Sequence, residues 1–328
     1  MNRVFITKVS SDNLSSRLSD AFGWIEWEKI VKNGDKVFIK PNLTLPSYHR
    51  GITTNPLVLD ALVRKLRNRT NRIYMGESNG GLECFSANNA FLGHGLDKLA
   101  SKYGIKLINL SSLPFKKVAF QLKRKQVEIE IPNFLVDDVD VFINVPVLKT
   151  HAMVNITLGF KNLWGCIPNT SRMLYHPVFH EVIVEIAKLI NPKITIIDGT
   201  YAMDGNGPIF GDVFELNTMI ASNDFGAADL VGCHVMQFDP RKVKYLGIAK
   251  KQDLIPELEE ILLNESIQKF SSHKFKPVMR VNNYVAYAAF RSKLLTKFIY
   301  FSPFSKLKDA IVRRIRGEKG KELFKYYG

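Results

Sequence analysis

A chain of 328 residues with 46% hydrophobic content is long and apolar enough to bury a large core, which excludes an intrinsically disordered protein. Its 46 Lys and Arg against 31 Asp and Glu give a formal charge of +15, pointing to an anionic partner: a phosphorylated substrate, nucleic acid or a lipid surface. Three widely spaced cysteines, Cys84, Cys166 and Cys233, with no Cys-x-x-Cys pair, exclude a disulfide framework, a zinc ribbon and an intrinsic four-cysteine iron–sulfur cluster, and fit a reducing cytosol.

The chain opens with an expected strand over Arg3–Val9 and a helix from Leu14 to Val31. A turn at Asn33-Gly34-Asp35 leads into a short strand, Lys36 to Lys40, stopped by Pro41. The polar connection that follows carries Lys40, Asn42, Thr54 and Asn55, and Pro56 at a first helical position starts a helix through Asn68. Arg72–Met75 is the next strand and runs into Gly76-Glu77-Ser78-Asn79-Gly80-Gly81, where the glycines permit positive φ and close backbone approach to a ligand. Glu77, a carboxylate at a strand end, is an acid, base or metal ligand, or else caps the following helix. A helix over Gly95–Gly104, a strand over Ile105–Leu110 and a β-hairpin from Lys116 to Ile131, with the basic triplet Lys123–Lys125 near its turn, come next.

The stretch Asp140–Pro168 organises the rest. Val141, Phe142, Ile143 and Val145 form the apolar run of a parallel strand covered on both faces, and Pro146 is expected to end its ladder. Lys149, Thr150, His151, Asn155, Thr157, Lys161 and Asn162 then fall on a loop at the carboxyl edge of the sheet, where open α/β sheets bind ligands. Two lysines and a histidine among apolar neighbours call for an anionic or metallic companion. Pro177 starts a helix with one apolar face; His176 and His180, four apart, suit capping, substrate contact or a metal. Lys193–Ile197 is a strand ended by Asp198-Gly199, and DGTYAMDGNGPIFGD, with Gly205 and Gly207, is expected to be a ligand loop rather than a hairpin turn. Leu216–Ala221 is another strand, after which Asn223 or Asp224 caps a helix; Asp239-Pro240 begins one more, through Lys250. Strands alternating with helices give the fold class: α/β, a doubly wound, mostly parallel sheet with helices on both faces, a β-hairpin insertion and a basic helical C-terminal extension. The domain division is 1–276 for the α/β body and 277–328 for the tail.

The ordered motifs KPNLT, TTNP, GESNGG, INVPVLKTH with GFKNLWGCIP, DGTYAMDGNGP and ASNDFGAAD, spanning roughly Lys36 to Ala249, resemble the prokaryotic family named "domain of unknown function 362". The resemblance implies an α/β domain associated with ferredoxin-like iron–sulfur modules and with redox chemistry. This chain lacks the ferredoxin cysteine motif, so electrons, a metal or a cluster would come from a separate ferredoxin-like protein. A looser likeness, Lys and His followed by a Gly-Phe-Lys turn, to the nickel-pincer lactate racemase domain carries no cofactor over.

Two functions compete at this stage. The first is an enzyme of redox or related type acting on an anionic small molecule. Lys149 and Lys161 bind its carboxylate or phosphate, His151 is the general acid/base, and Glu77 or Asp198 orients it or holds a metal. Lys40, Asn42, Thr54, Asn55, Gly80, Gly81, Asn155, Asn162, Arg172, His176, Asp198, Gly205, Gly207 and Asp224 are the candidate ligand-binding residues. A joint acid/base role requires Lys149, His151, Lys161 and Glu77 within about one hydrogen-bonded shell, and loop placement predicts that replacing any of the first three leaves the fold intact. The second is a noncatalytic carrier or scaffold binding a cofactor or an iron–sulfur protein, with Cys166 as either an inert thiol or one ligand of a shared cluster. Nucleic acid is disfavoured because the body carries no aromatic-basic stacking motif. Residues 278–328 hold twelve Lys/Arg and three Asp/Glu, so +9 of the +15 lies there, mixed with Tyr284, Val285, Phe298, Phe301 and Phe304. That pattern is either an interfacial helix on anionic lipid or a helical pair packed on the sheet. The N-terminus shows no export signature and no apolar run spans a bilayer, so the expected location is cytoplasmic, peripheral at the inner membrane face.

Overall fold

The computed structural model describes residues 1–122 and 125–303. In chain order the elements are β1 (Asn2–Lys8), α1 (Leu14–Trp24), α2 (Trp27–Ile30), β2 (Val37–Pro41), α3 (Pro56–Leu66), β3 (Ile73–Glu77), α4 (Ala87–Gly93), α5 (Leu96–Tyr103), β4 (Lys106–Asn109), β5 (Phe115–Leu122) and β6 (Lys125–Pro132). Then follow β7 (Val141–Val145), β8 (Val147–His151), β9 (Asn155–Thr157), α6 (Gly159–Asn162), α7 (Phe179–Ile190), β10 (Ile194–Asp204), β11 (Asp212–Ser222), α8 (Phe225–Val235), α9 (Lys244–Lys250), β12 (Ile261–Leu263), α10 (Val281–Ala289) and α11 (Lys293–Phe301).

The main sheet runs β12-β1-β11-β10-β7-β2-β3-β4, with β8 branching from β10 and carrying β9. Its half from β10 to β4 is parallel, and only the β1–β11 and β11–β10 pairs on this path are antiparallel. Strand alternation sends side chains to two separate cores. Val37, Ile39, Val141 and Ile143 pack beneath α1, α3 and α5, whereas Phe38, Phe142 and Ile197 pack beneath α7, α8 and α9. Both faces are covered, so these strands read as unbroken apolar runs. The β5–β6 hairpin forms its own two-stranded sheet and pushes Val127, Ile129 and Ile131 into the second core. Helix starts follow the side chains the sequence offers: Asn55 Oδ1 accepts from Leu57 N ahead of Pro56, and Asp224 Oδ1 accepts from Ala227 N.

Four expectations are corrected. The helix expected over Leu14–Val31 breaks between Trp24 and Trp27, with Glu26 at φ 54°. Pro146 interrupts the strand without ending it: β8 resumes at Val147 and pairs with β10, so Lys149, Thr150 and His151 lie on a buried strand and not on a loop. Asp198-Gly199 likewise does not stop β10, which continues to Asp204 with a bulge between Gly199 and Tyr201. The segment DGTYAMDGNGPIFGD is therefore mostly the two arms of the β10–β11 hairpin, turning at Gly205–Gly211. The tail forms α10 and α11, while Phe304 and the basic residues beyond it lie outside the described residues, as do Lys123 and Arg124 of the basic triplet. Among the described residues no helix is long and apolar enough to cross a membrane.

Candidate functional site

A cavity of about 640 Å³ opens beyond the carboxyl ends of β2 and β3. Its floor is an ion pair. Lys40, wholly buried at the end of β2, places Nζ 2.5 Å from Glu77 Oε2 at the end of the adjacent β3. Parallel pairing of β2 with β3 brings both strand ends to one edge. Glu77 also accepts from Leu43 N at 3.3 Å and, through Oε1, from Ser78 N at 3.0 Å, so three donors engage this carboxylate. Gly165 is required above it: a Cβ there would collide with Glu77 Oε1 and stand 2.9 Å from Lys40 Nζ.

One wall is α6, whose single turn carries Lys161 and Asn162. A buried carboxylate fixes its start, Asp229 of α8 accepting from Gly159 N at 2.6 Å and Phe160 N at 3.1 Å. Burial pushes the Asp229 carboxyl up to about 7, against the pull of those two N–H groups. Asn162 Nδ2 donates to Asn144 Oδ1 at 2.8 Å and to the Lys40 carbonyl at 3.3 Å, stitching the turn to β7 and β2. Lys161 faces the cavity with Nζ 5.5 Å from the centre of the Phe179 ring. Burial first, then the charges of Arg172 and Lys40, bring its ammonium down to about 7, with Glu77 opposing weakly.

The opposite wall comes from residues 172–176 and the glycine segment after β3. Arg172 donates to the Asn79 carbonyl at 2.8 Å, joining the two parts of this wall. His176 Nδ1 lies 2.7 Å from the Met173 carbonyl; a carbonyl only accepts, so this nitrogen carries the proton and Nε2 keeps its lone pair. The ring packs against Trp164, Phe179 and Phe290, and burial holds its basicity down at about 3. Phe290 stacks on His176 at 4.2 Å and Tyr300 on Phe290 at 5.1 Å, so the tail helices close one side of the cavity and Tyr300 lines it. Neither Gly80 nor Gly81 has positive φ, contrary to the expectation from the glycine pair; Gly80 is needed because a Cβ would stand 2.5 Å from Cys84 Sγ and 2.7 Å from the Phe85 ring.

The cavity thus gathers Glu77, Lys161, Asn42, Gly80, Gly81, Asn162, Arg172 and His176 of the sequence-derived candidates, with Lys40 directly beneath. Lys149 and His151 stand behind the wall. Lys149 Nζ donates to the Ile52 carbonyl at 2.6 Å and reaches Asn42 Oδ1 at 3.5 Å; burial and the nearby Lys161 charge push its ammonium well below the ordinary lysine range. His151 Nδ1 accepts from Met153 N at 3.1 Å, its ring lies 6.5 Å from Phe179, and burial with Lys161 and Lys149 keeps it neutral. The four side chains expected in one hydrogen-bonded shell are consequently split between cavity and strand interior. Asp198 is farther off: it accepts from Asn55 N, Thr200 N and Thr200 Oγ1, tying β10 to the start of α3, while Thr54 Oγ1 accepts from Asn42 N and donates to the Val145 carbonyl. Asn155 donates to the Lys242 carbonyl, Asp224 caps α8, and Gly205 and Gly207 form the hairpin turn, where a Cβ on Gly207 would overlap the Thr150 carbonyl. Cys84, Trp164 and Tyr300, which no sequence motif marks as ligand contacts, also line the cavity. Cys166, by contrast, is buried in the core with its thiol pushed up to about 12 by burial. Among the described residues no three His, Cys, Asp or Glu side chains gather as metal ligands do.

The family model described as a domain of unknown function (DUF362) matches residues 37–234. A thylakoid-associated protein of Synechocystis sp. is 32% identical over 246 residues, covering 70% of this chain and 72% of that protein. Two solved structures are also similar. One, a protein from Thermotoga maritima, shares 12% identity at a TM-score of 0.39 over 57% of this chain and 50% of its own. The other, the lactate racemase apoprotein from Thermoanaerobacterium thermosaccharolyticum, shares 16% identity at a TM-score of 0.45 over 71% of this chain and 56% of its own. This chain therefore spans about half the length of either solved structure.

Proposed function

The chain belongs to the DUF362 family, and from that premise we propose that it is an enzyme acting by acid/base chemistry on an anionic small molecule held in the cavity beyond β2 and β3. The observation that carries this reading is Lys161: an amine poised near neutrality, facing a cavity, with Arg172 beside it and the Glu77 carboxylate already engaged by Lys40. Arg172 orients the anion, its own backbone contacts fixing the guanidinium. Lys161 holds or moves the proton, and the bare Nε2 of His176 accepts a hydrogen bond from the bound molecule. Lys40 and Glu77 position the floor, while Lys149 and His151 anchor the strand behind it through the Ile52 carbonyl and Met153 N. Calorimetric titration of glycolate and inorganic phosphate tests the site: binding is expected in the natural sequence and at least tenfold weaker in Lys161→Ala and Arg172→Ala. Equal affinity in all three proteins for both anions removes the cavity from consideration.

The redox direction and the ferredoxin-like donor belong to this proposal as its electron supply, arriving from a separate protein. The competing carrier reading finds less support, because Cys166 lies in the core and reaches a partner's cluster only if that core opens. For the tail the reading is peripheral attachment to an anionic membrane. No Asp or Glu lies between Glu265 and Asp309, and Leu294, Leu295, Phe298 and Phe301 are exposed beside Lys293 and Lys297. The Synechocystis relative, named for its thylakoid association, agrees with that reading.

A further inference from the structure

Lys161 has chemistry beyond holding an anion. Among the described residues its Nζ has no carboxylate and no hydrogen-bond partner; the contact it makes is with the face of Phe179. Glu77, the cavity carboxylate whose field reaches Lys161, is taken up by Lys40 Nζ, Leu43 N and Ser78 N and so does not neutralise it. The turn that carries Lys161 is pinned at its start by Asp229 and at its end by Asn162, which keeps the side chain rooted at the cavity wall. Half-buried beside two other cations, the amine loses its proton near pH 7, well below the ordinary lysine range. An unprotonated primary amine opening on a cavity is a nucleophile for carbonyl carbon.

Resting on the reading of this cavity as an anion site, we infer that Lys161 condenses with the carbonyl of an anionic aldehyde or 2-oxo acid to form an imine. The Nζ lone pair forms the N–C bond and the carbonyl π pair moves to oxygen, which takes one of the two N–H protons to give a neutral carbinolamine. The C–O bond then breaks and the hydroxyl leaves as water with the second N–H proton, while the nitrogen lone pair closes the C=N bond. One amine and one carbonyl thus become one imine and one water, with no oxidant or reductant consumed. Arg172 holds the substrate's anionic group during these steps, and Trp164 and Tyr300 line the same cavity.

Borohydride trapping with glyoxylate, followed by peptide mapping of the natural sequence, tests the inference, with glycolate as the matching anion that lacks a carbonyl. The expected result is a reduced adduct on Lys161 at least tenfold above any exposed lysine, with a labelling rate half-maximal near pH 7, suppressed by excess glycolate and absent in Lys161→Arg. Mapping of the natural sequence locates the adduct even if that variant fails to fold. Glycolate binding without an adduct on Lys161 overturns the imine and leaves the anion site standing. No adduct and no glycolate binding overturns both, and labelling spread evenly over exposed lysines overturns the imine.

Discussion

The Lys40–Glu77 pair offers the sharpest test of how the cavity floor is built. Glu77→Gln leaves a fully buried ammonium with the Pro41 carbonyl, at 2.8 Å, and no carboxylate. Lys40→Met leaves a carboxylate with two backbone N–H groups. Breaking a buried pair from one side costs about 3–5 kcal/mol, since the surviving charge remains desolvated. In the double variant both charges are gone. Its destabilisation is expected to fall short of the summed single losses by roughly 0.5–3 kcal/mol, the range seen for side chains in direct contact. Gly165→Ala drives a methyl group into the same pair, so its cost, about 1–3 kcal/mol for overpacking, is expected in the natural sequence and should shrink in the double variant. Urea denaturation at pH 7 reads all of these as shifts in midpoint at constant slope. Strict additivity of the two single losses, or a cost under about 1 kcal/mol for either, refutes a buried, mutually dependent pair.

Lys149→Ala removes a fully buried side chain from β8 and is expected to destabilise by about 2–5 kcal/mol, whereas Lys161→Ala, on the cavity wall, changes stability little; equal melting shifts argue against that division. Asp229 has its pKa raised from 3.8 to about 7 in the folded chain, so between those values the native state keeps a proton that the unfolded state releases. Its contribution therefore declines as pH rises through that window, by at most roughly 1.4 kcal/mol per pH unit, and levels off above. The stability difference between the natural sequence and Asp229→Asn should follow this slope, and a difference independent of pH from 4 to 7 contradicts it. Lys293→Glu with Lys297→Glu is expected to weaken cosedimentation with anionic vesicles by tenfold or more, each basic residue contributing about 1 kcal/mol at such a surface. Unchanged pelleting means that the exposed face of α11 does not meet lipid.

The sheet was legible in the sequence because its parallel strands are buried on both faces: VFIN, KVFIK and KITII are unbroken apolar runs between turn signals. The places that misled are those where tertiary contact overrode a local rule. Pro146 and Asp198-Gly199 look like strand ends, yet β8 and the far half of β10 pair with each other and continue the sheet. A Cβ on Gly199 would stand 2.6 Å from the Thr218 carbonyl, so that glycine serves the bulge and does not end a strand. The same continuation explains why Lys149 and His151, correctly read as costly among apolar neighbours, stand behind the cavity rather than in it. Their burial is met by the Ile52 carbonyl and by Met153 N, partners that no spacing reveals. Lys161, Arg172 and Glu77 converge because β3 ends beside β2 while Arg172 reaches back to Asn79, an arrangement set by strand order. The aromatic stack of Phe290 and Tyr300 on His176 joins residues more than a hundred positions apart, a partner that the reading of the tail as a packed helical pair does not name.

The most direct test of the cavity's central feature is the affinity for glycolate measured against pH in the natural sequence and in Lys161→Ala. With Lys161 titrating near 7, affinity in the natural sequence is predicted to hold below that pH and to fall above it, by at most about tenfold per unit, as the ammonium is lost. The variant should bind weakly and without that fall. A profile for the natural sequence that stays flat from pH 6 to 9, or one that the variant reproduces, contradicts the account.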